Sequence, residues 1–170
     1  MDWQLQTLER ICTEARCLAI GECGLDKLCQ VDLDLQLEAF NAQVQLANRV
    51  SKPLIVHCVK AFNELMNCLI ENENKVPVII HGFNNNENIA NLLLDKGYIL
   101  SFGKALLAYE SNASIVIRKA GRKQFLLETD DSDISIKYIY HKAAELLGVD
   151  EQILKVQMQS NFEKTFRVKL

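Results

Sequence analysis

Residues 54–81 read LIVHCVKAFNELMNCLIENENKVPVIIH, and this stretch decides the fold. Its ends, Leu54-Ile55-Val56 and Val78-Ile79-Ile80, are apolar at consecutive positions and too short for helices, the pattern of strands buried on both faces. Between them, residues 61 to 73 place Phe62, Leu65, Leu69 and Ile70 at helical spacing. Strand, amphipathic helix and strand make one βαβ unit, and such a crossover joins parallel strands. Each strand is followed directly by a histidine, His57 and then His81.

The alternation continues on both sides. Leu18-Ala19-Ile20 comes before the stretch, and Tyr98-Ile99-Leu100 and Phe125-Leu126-Leu127 come after it. Residues 33 to 49 align Leu33, Leu37, Phe40, Val44 and Ala47 on one helical stripe behind Asp32 as N-cap. Residues 87 to 96 do so with Ile89, Leu92 and Leu93 and stop at Gly97, while 104 to 120 carry a weaker helical pattern. Ile136, Ile139, Tyr140, Ala143 and Leu147 predict a helix ending before Gly148, another helix starts near Asp150, and one near residues 3 to 16 precedes the first strand. The order is α(βα)₅ plus a final helix, an α/β fold with about five parallel strands. An open sheet and part of a barrel both satisfy it. A closed eight-stranded barrel takes about 250 residues, so five strands cannot close one.

The chain has 170 residues, 49% hydrophobic and 24% charged, with 19 basic against 22 acidic side chains and a net charge of −3. A chain this long buries roughly 70% of its unfolded surface, so no disulfide or metal is needed merely to fold it. Two prolines and seven glycines mark no linker, and the reading is a single domain over residues 1–170. No run of about 18 apolar residues occurs, and Met1-Asp2-Trp3-Gln4 does not begin a secretory signal, which predicts a cytoplasmic protein with no membrane partner. The charge is mildly acidic and free of long like-charge runs, so it does not point to tight nonspecific coating of DNA, and transient contact with a substrate stays open. The six cysteines, at 12, 17, 23, 29, 58 and 68, contain no Cys-x-x-Cys and are read as small buried apolar residues.

Chemistry gathers after the strands. Glu22 follows Leu18-Ala19-Ile20, His57 and His81 follow theirs, and Asp130 follows Phe125-Leu126-Leu127. In a parallel sheet the carboxyl ends of the strands share one edge, where α/β enzymes assemble their sites. Two imidazoles and two carboxylates at that edge form a ligand set for a divalent ion such as zinc, magnesium or manganese. His141 follows no strand and is read as a surface helix residue outside the site. Lys27, Lys60 and Lys104 lie in loops after strands and are read as solvated, and Gly21-x-x-Gly24 is not a dinucleotide fingerprint.

Several segments resemble, in order, the signatures of the TatD-related metal-dependent hydrolases. They are Ala19-Ile20-Gly21-Glu22-Cys23-Gly24-Leu25-Asp26, Pro53-Leu54-Ile55-Val56-His57, Ile80-His81-Gly82-Phe83, Gly97-Tyr98-Ile99-Leu100-Ser101-Phe102-Gly103 and Leu127-Glu128-Thr129-Asp130. Asn161-Phe162-x-x-x-Phe166 is similar to the closing Asn and Phe of that family. The resemblance implies an incomplete TIM-type (β/α) barrel and hydrolysis of a phosphodiester such as DNA with one or two metal ions. Glu22 would bridge two ions, His57 and His81 would hold one, and Asp130 would bind the other and serve as general base. Catalysis would therefore rest on Glu22 and Asp130. Paired cations acidify water and neutralise charge building on the phosphodiester.

The chain also departs from the family pattern. Its three histidines stand at 57, 81 and 141, so the His-x-His strand that opens family members, and the strand after it, have no counterpart. The expectation is a domain shortened at its N-terminus relative to the family. That leaves Leu18 to Ile20 at a sheet edge, which the helix near residues 3 to 16 would cover or a second copy would pair as a homodimer. Lys60, Phe83-Asn84 and Asp131-Ser132 replace the family's usual residues and bear on substrate choice. Two alternatives accompany this reading: a catalytically silent relative acting in binding or self-association, and a metal-dependent hydrolase of small amides or esters.

Overall fold

The computed structural model describes residues 2–120 and 125–170. Among them five parallel strands alternate with helices, and the sheet order is β1-β2-β3-β4-β5, each strand beside its neighbour in the chain. The sheet does not close, so the expected incomplete α/β barrel is what forms. Packing divides the chain into two compact units, one ending at Ile79 and the other beginning at Ile80.

The first unit contains α1 (Asp2–Cys12), β1 (Ile20–Asp26), α2 (Leu33–Val50), β2 (Leu54–Val59) and α3 (Phe62–Glu71), and runs into β3 (Val78–Ile80). Asp32 caps α2 by accepting from Asp34 N at 2.8 Å, and the stripe buries Phe40, Val44, Leu46 and Ala47. α1 ends at Cys12 rather than near residue 16, and it packs along α2, with Arg49 Nε 3.3 Å from Glu9 Oε1. On α3 the buried stripe is Leu65, Met66, Cys68 and Leu69, and Ile70 is exposed. At about 100° per residue Ile70 lies about 140° round the helix from Leu65, outside the stripe centred on Leu65 and Leu69.

β1 differs most from its expected position. It begins at Ile20 and continues through two glycines to Asp26, although glycine and acidic residues disfavour strands. Close pairing with β2 overrides that preference. A Cβ on Gly21 would lie 2.7 Å from Ile55 Cβ, and one on Gly24, at φ +143°, would lie 1.9 Å from the His57 carbonyl oxygen. Only glycines let the two backbones approach so closely. The registry moves from Ile20 opposite Leu54 to Cys23 opposite Val56, an irregularity centred on Gly21 and Glu22.

The second unit carries α4 (Glu87–Asp95), β4 (Ile99–Phe102), a 3₁₀ turn (Lys104–Leu107), α5 (Asn112–Ala120), β5 (Phe125–Leu127), α6 (Ile136–Leu147) and α7 (Glu151–Phe166). The weak pattern over 104 to 120 thus resolves into a turn and a short helix. Asn86, Ser135 and Asp150 cap α4, α6 and α7 through their side chains, and Gly148, at φ +63°, ends α6. Leu92 is exposed, and α4 instead buries Ala90 and Leu93. Phe83, Phe102 and Phe125 are buried and stack edge to face at centroid distances of 6.0 and 5.8 Å. Of the cysteines, Cys12, Cys23 and Cys68 are buried as expected, but Cys29 is exposed in the polar loop after β1.

Candidate metal centre

In the first unit the two candidate ligands lie within strands rather than just after them. Glu22 sits at the β1 irregularity, where an extra residue re-aims the side chain, and it is exposed. His57 lies on β2, and its Nε2 is 3.7 Å from Asp26 Oδ2 at the end of β1. Asp26 is fixed by its neighbours: its N–H donates to Gln36 Oε1 at 2.7 Å, and its carbonyl accepts from Gln36 Nε2 at 3.0 Å. Asp26 closes the first signature segment, which is the signal by which its place beside His57 was open to reading. Lys27 is occupied by Glu64, at 2.6 Å, and this bond holds the Glu64 carboxyl below its usual range. Burial pushes the Cys58 thiol beside His57 up to about 12, so it stays protonated.

In the second unit His81 directly follows β3, and its side chain is 8% exposed. Its Nδ1 is 3.7 Å from Glu128 Oε1, just beyond β5. Glu128 Oε1 accepts from the Gly82 N–H at 2.5 Å, and Oε2 accepts from the Ser101 hydroxyl. Burial alone would raise the Glu128 carboxyl, but the His81 imidazole, the Ser101 hydroxyl and the Gly82 N–H together bring it below its ordinary value. Glu128 lies within the segment Leu127-Glu128-Thr129-Asp130, where nothing in the sequence distinguishes it from any polar residue.

Asp130 stands two residues on with φ +50°, a left-handed conformation that aspartate tolerates better than most residues. Ser132 closes this turn by donating from its N–H to the Thr129 carbonyl at 3.1 Å and from Oγ at 2.5 Å. Its neighbour Asp131 pairs with Lys104 at 3.2 Å. Phe83 and Asn84 serve structure: Phe83 is buried in the aromatic cluster, and Asn84 Oδ1 accepts from Ala113 N at 3.0 Å in the first turn of α5. His141 lies on α6, with its side chain 77% exposed and Nδ1 3.7 Å from Glu151 Oε2.

In the second unit His81 and Asp130 each offer one ligand atom, and these two atoms lie within 4.8 Å of each other. A carboxylate and an imidazole are donors that suit zinc, manganese or a similar divalent ion. In the first unit His57 has Asp26 beside it.

An unclosed parallel α/β sheet with carboxylates and imidazoles on or just after its strands defines an α/β protein of the incomplete-barrel class. The chain belongs to the TatD related DNase family, whose pattern matches residues 1–167. It is 31% identical over 131 residues to a 3'-5' ssDNA/RNA exonuclease TatD of Yersinia pseudotuberculosis, covering 74% of this chain and 50% of that protein. It is 27% identical over 168 residues to an uncharacterized metal-dependent hydrolase, BU355, of Buchnera aphidicola, covering 89% of this chain and 63% of that protein. The chain thus spans about half to two-thirds of the length of these curated relatives. Among solved structures, the TatD homologue YJJV of Escherichia coli superposes with a TM-score of 0.89 at 23% identity, over 99% of this chain and 71% of that one, which shows the shared fold. No helix among the described residues is long and apolar enough to cross a membrane.

Proposed function

We propose that this chain is a divalent-metal-dependent phosphodiesterase acting on single-stranded nucleic acid, with Glu22, His57, His81 and Asp130 as its metal ligands. The observation that carries the reading is the donor pair of the second unit, His81 and Asp130, whose ligand atoms lie within 4.8 Å of each other. The substrate follows from the relatives named as 3'-5' ssDNA/RNA exonucleases, to which the chain is similar. A bound divalent ion supplies positive charge against the phosphodiester and acidifies water. Asp130, exposed on its left-handed turn, takes the proton released by the attacking water. Glu22 supplies the second carboxylate, His81 a nearly buried neutral nitrogen, and His57 a nitrogen oriented by Asp26.

The test pairs metal analysis with turnover of labelled single-stranded DNA and RNA in zinc, magnesium or manganese. Protein equilibrated with each ion should retain it through gel filtration and shorten the strands. Glu22→Ala and Asp130→Asn should keep the wild-type circular dichroism spectrum and lose turnover by at least about a hundredfold. Undiminished hydrolysis by both variants, or a folded wild type that takes up no divalent ion, rejects the reading.

A further inference from the structure

We propose that Glu128 is a positioning residue: its carboxylate faces Nδ1 of His81, fixes the proton on that nitrogen and presents Nε2 as the ligand nitrogen. The inference deepens the metal reading above and rests on it for the ligand role of His81, while the proton's place on the ring is independent of any ion.

The geometry leaves the Glu128 side chain little choice of place. Its backbone N–H donates to the Phe102 carbonyl at 3.0 Å, tying the residue to the end of β4. Gly103 lies so close that a Cβ there would come 3.3 Å from Glu128 Cγ, so the side chain runs along bare backbone. One carboxylate oxygen takes the Ser101 hydroxyl and the other the Gly82 N–H, with Gly82 itself at φ +58°. These groups come from β4 and from the turn after β3, so the carboxylate is fixed before any ligand arrives. The oxygen held by Gly82 is the one 3.7 Å from His81 Nδ1. Both side chains are largely shielded, at 8% and 20% exposure, so the carboxylate meets the imidazole away from bulk water.

A carboxylate behind a metal-ligating imidazole selects its tautomer, fixes its ring and raises its basicity, and removing such a partner typically costs about 10- to 100-fold in metal affinity. Carboxylate charge is what Glu128 adds beyond shape. Glutamine at 128 retains an oxygen for Ser101 or Gly82 but no longer attracts a proton to Nδ1 with a full charge.

Nitrogen-15 NMR of the metal-free wild-type protein at mildly alkaline pH should show His81 as the Nδ1–H tautomer. In Glu128→Gln the signal should move toward a mixture of tautomers. Zinc or manganese affinity, measured by competition with a chelator, should fall by about 10- to 100-fold, and Glu128→Asp should recover part of the loss. A wild-type His81 in the Nε2–H form overturns the inference and needs no variant. So do unchanged tautomer and affinity in Glu128→Gln, whatever its thermal stability, since Glu128 would then only clamp the loops. Should the wild type bind no ion while showing the Nδ1–H tautomer, the metal reading falls and the positioning of His81 by Glu128 stands.

Discussion

Asn161 of α7 donates from Nδ2 to the Phe125 carbonyl of β5 at 2.8 Å, inside the protein. Its Oδ1 accepts from Gln157 Nε2 one helical turn earlier at 2.9 Å. The last helix is thereby bonded to an outer strand of the sheet, close to where Glu128 and Asp130 leave it. Asn161→Ala would leave the Phe125 carbonyl without this donor. The expected cost is about 1–3 kcal/mol, a fall in melting temperature of about 2–4 °C for each kcal/mol. Differential scanning calorimetry measures it, and a melting temperature equal to wild type would deny the bond its role.

Two glycines with positive φ should respond very differently to alanine. At Gly97, φ +78°, nothing lies within 4 Å of an added Cβ, so the cost is backbone strain alone, about 1 kcal/mol. At Gly24 the added atom would fall 1.9 Å from the His57 carbonyl oxygen, and β1 and β2 must separate. Gly24→Ala should therefore destabilise by at least about 3 kcal/mol or fail to yield folded protein. Urea unfolding of the two variants compares them, and equal midpoints would contradict the close approach of the strands.

Much of this was legible before any coordinates. Leu54-Ile55-Val56 and Val78-Ile79-Ile80 are read as buried parallel strands because burial on both faces writes itself as unbroken apolar runs. The ends of α2, α4 and α6 are legible from Asp32, Gly97 and Gly148, whose local chemistry needs no tertiary context. β1 is not legible in the same way: its Ile20-Gly21-Glu22-Cys23-Gly24 run lacks strand propensity, and it becomes a strand through pairing with β2. Glu22 and His57 are consequently named as candidates for the right edge of the sheet but placed after strands that contain them. Asp26 and Glu128 were missed because a carboxylate that orients a histidine looks, in sequence, like any other polar residue beside a motif.

The thiols divide by environment. Burial pushes Cys23 and Cys58 to about 12, so at pH 8 both are neutral and poor nucleophiles. Cys29 is exposed, with its Sγ 3.2 Å from the Asp26 carbonyl. Iodoacetamide at pH 8 should label Cys29 while Cys23 and Cys58 remain unmodified in the folded protein and react once it is unfolded in urea. Peptide mass spectrometry reads the sites. Labelling of Cys23 as fast as Cys29 would contradict its burial.

The Lys27–Glu64 pair joins the end of β1 to the first turn of α3 at 2.6 Å and gives the stability of the first unit a defined pH dependence. The hydrogen bond from Lys27 holds the Glu64 carboxyl below its usual value in the folded protein. A carboxyl depressed on folding contributes stability above its unfolded-state pKa, near 4.3, and loses that contribution as pH falls through the folded value. Wild type should therefore exceed Glu64→Gln in urea midpoint at pH 7 and lose that lead as the pH is lowered below about 4. Both side chains are about one-third exposed, at 36% and 32%, so the lead should be small and should shrink in about 1 M salt. A difference between the two proteins that stays constant from pH 7 to pH 3 would assign the effect of the substitution to packing rather than to charge.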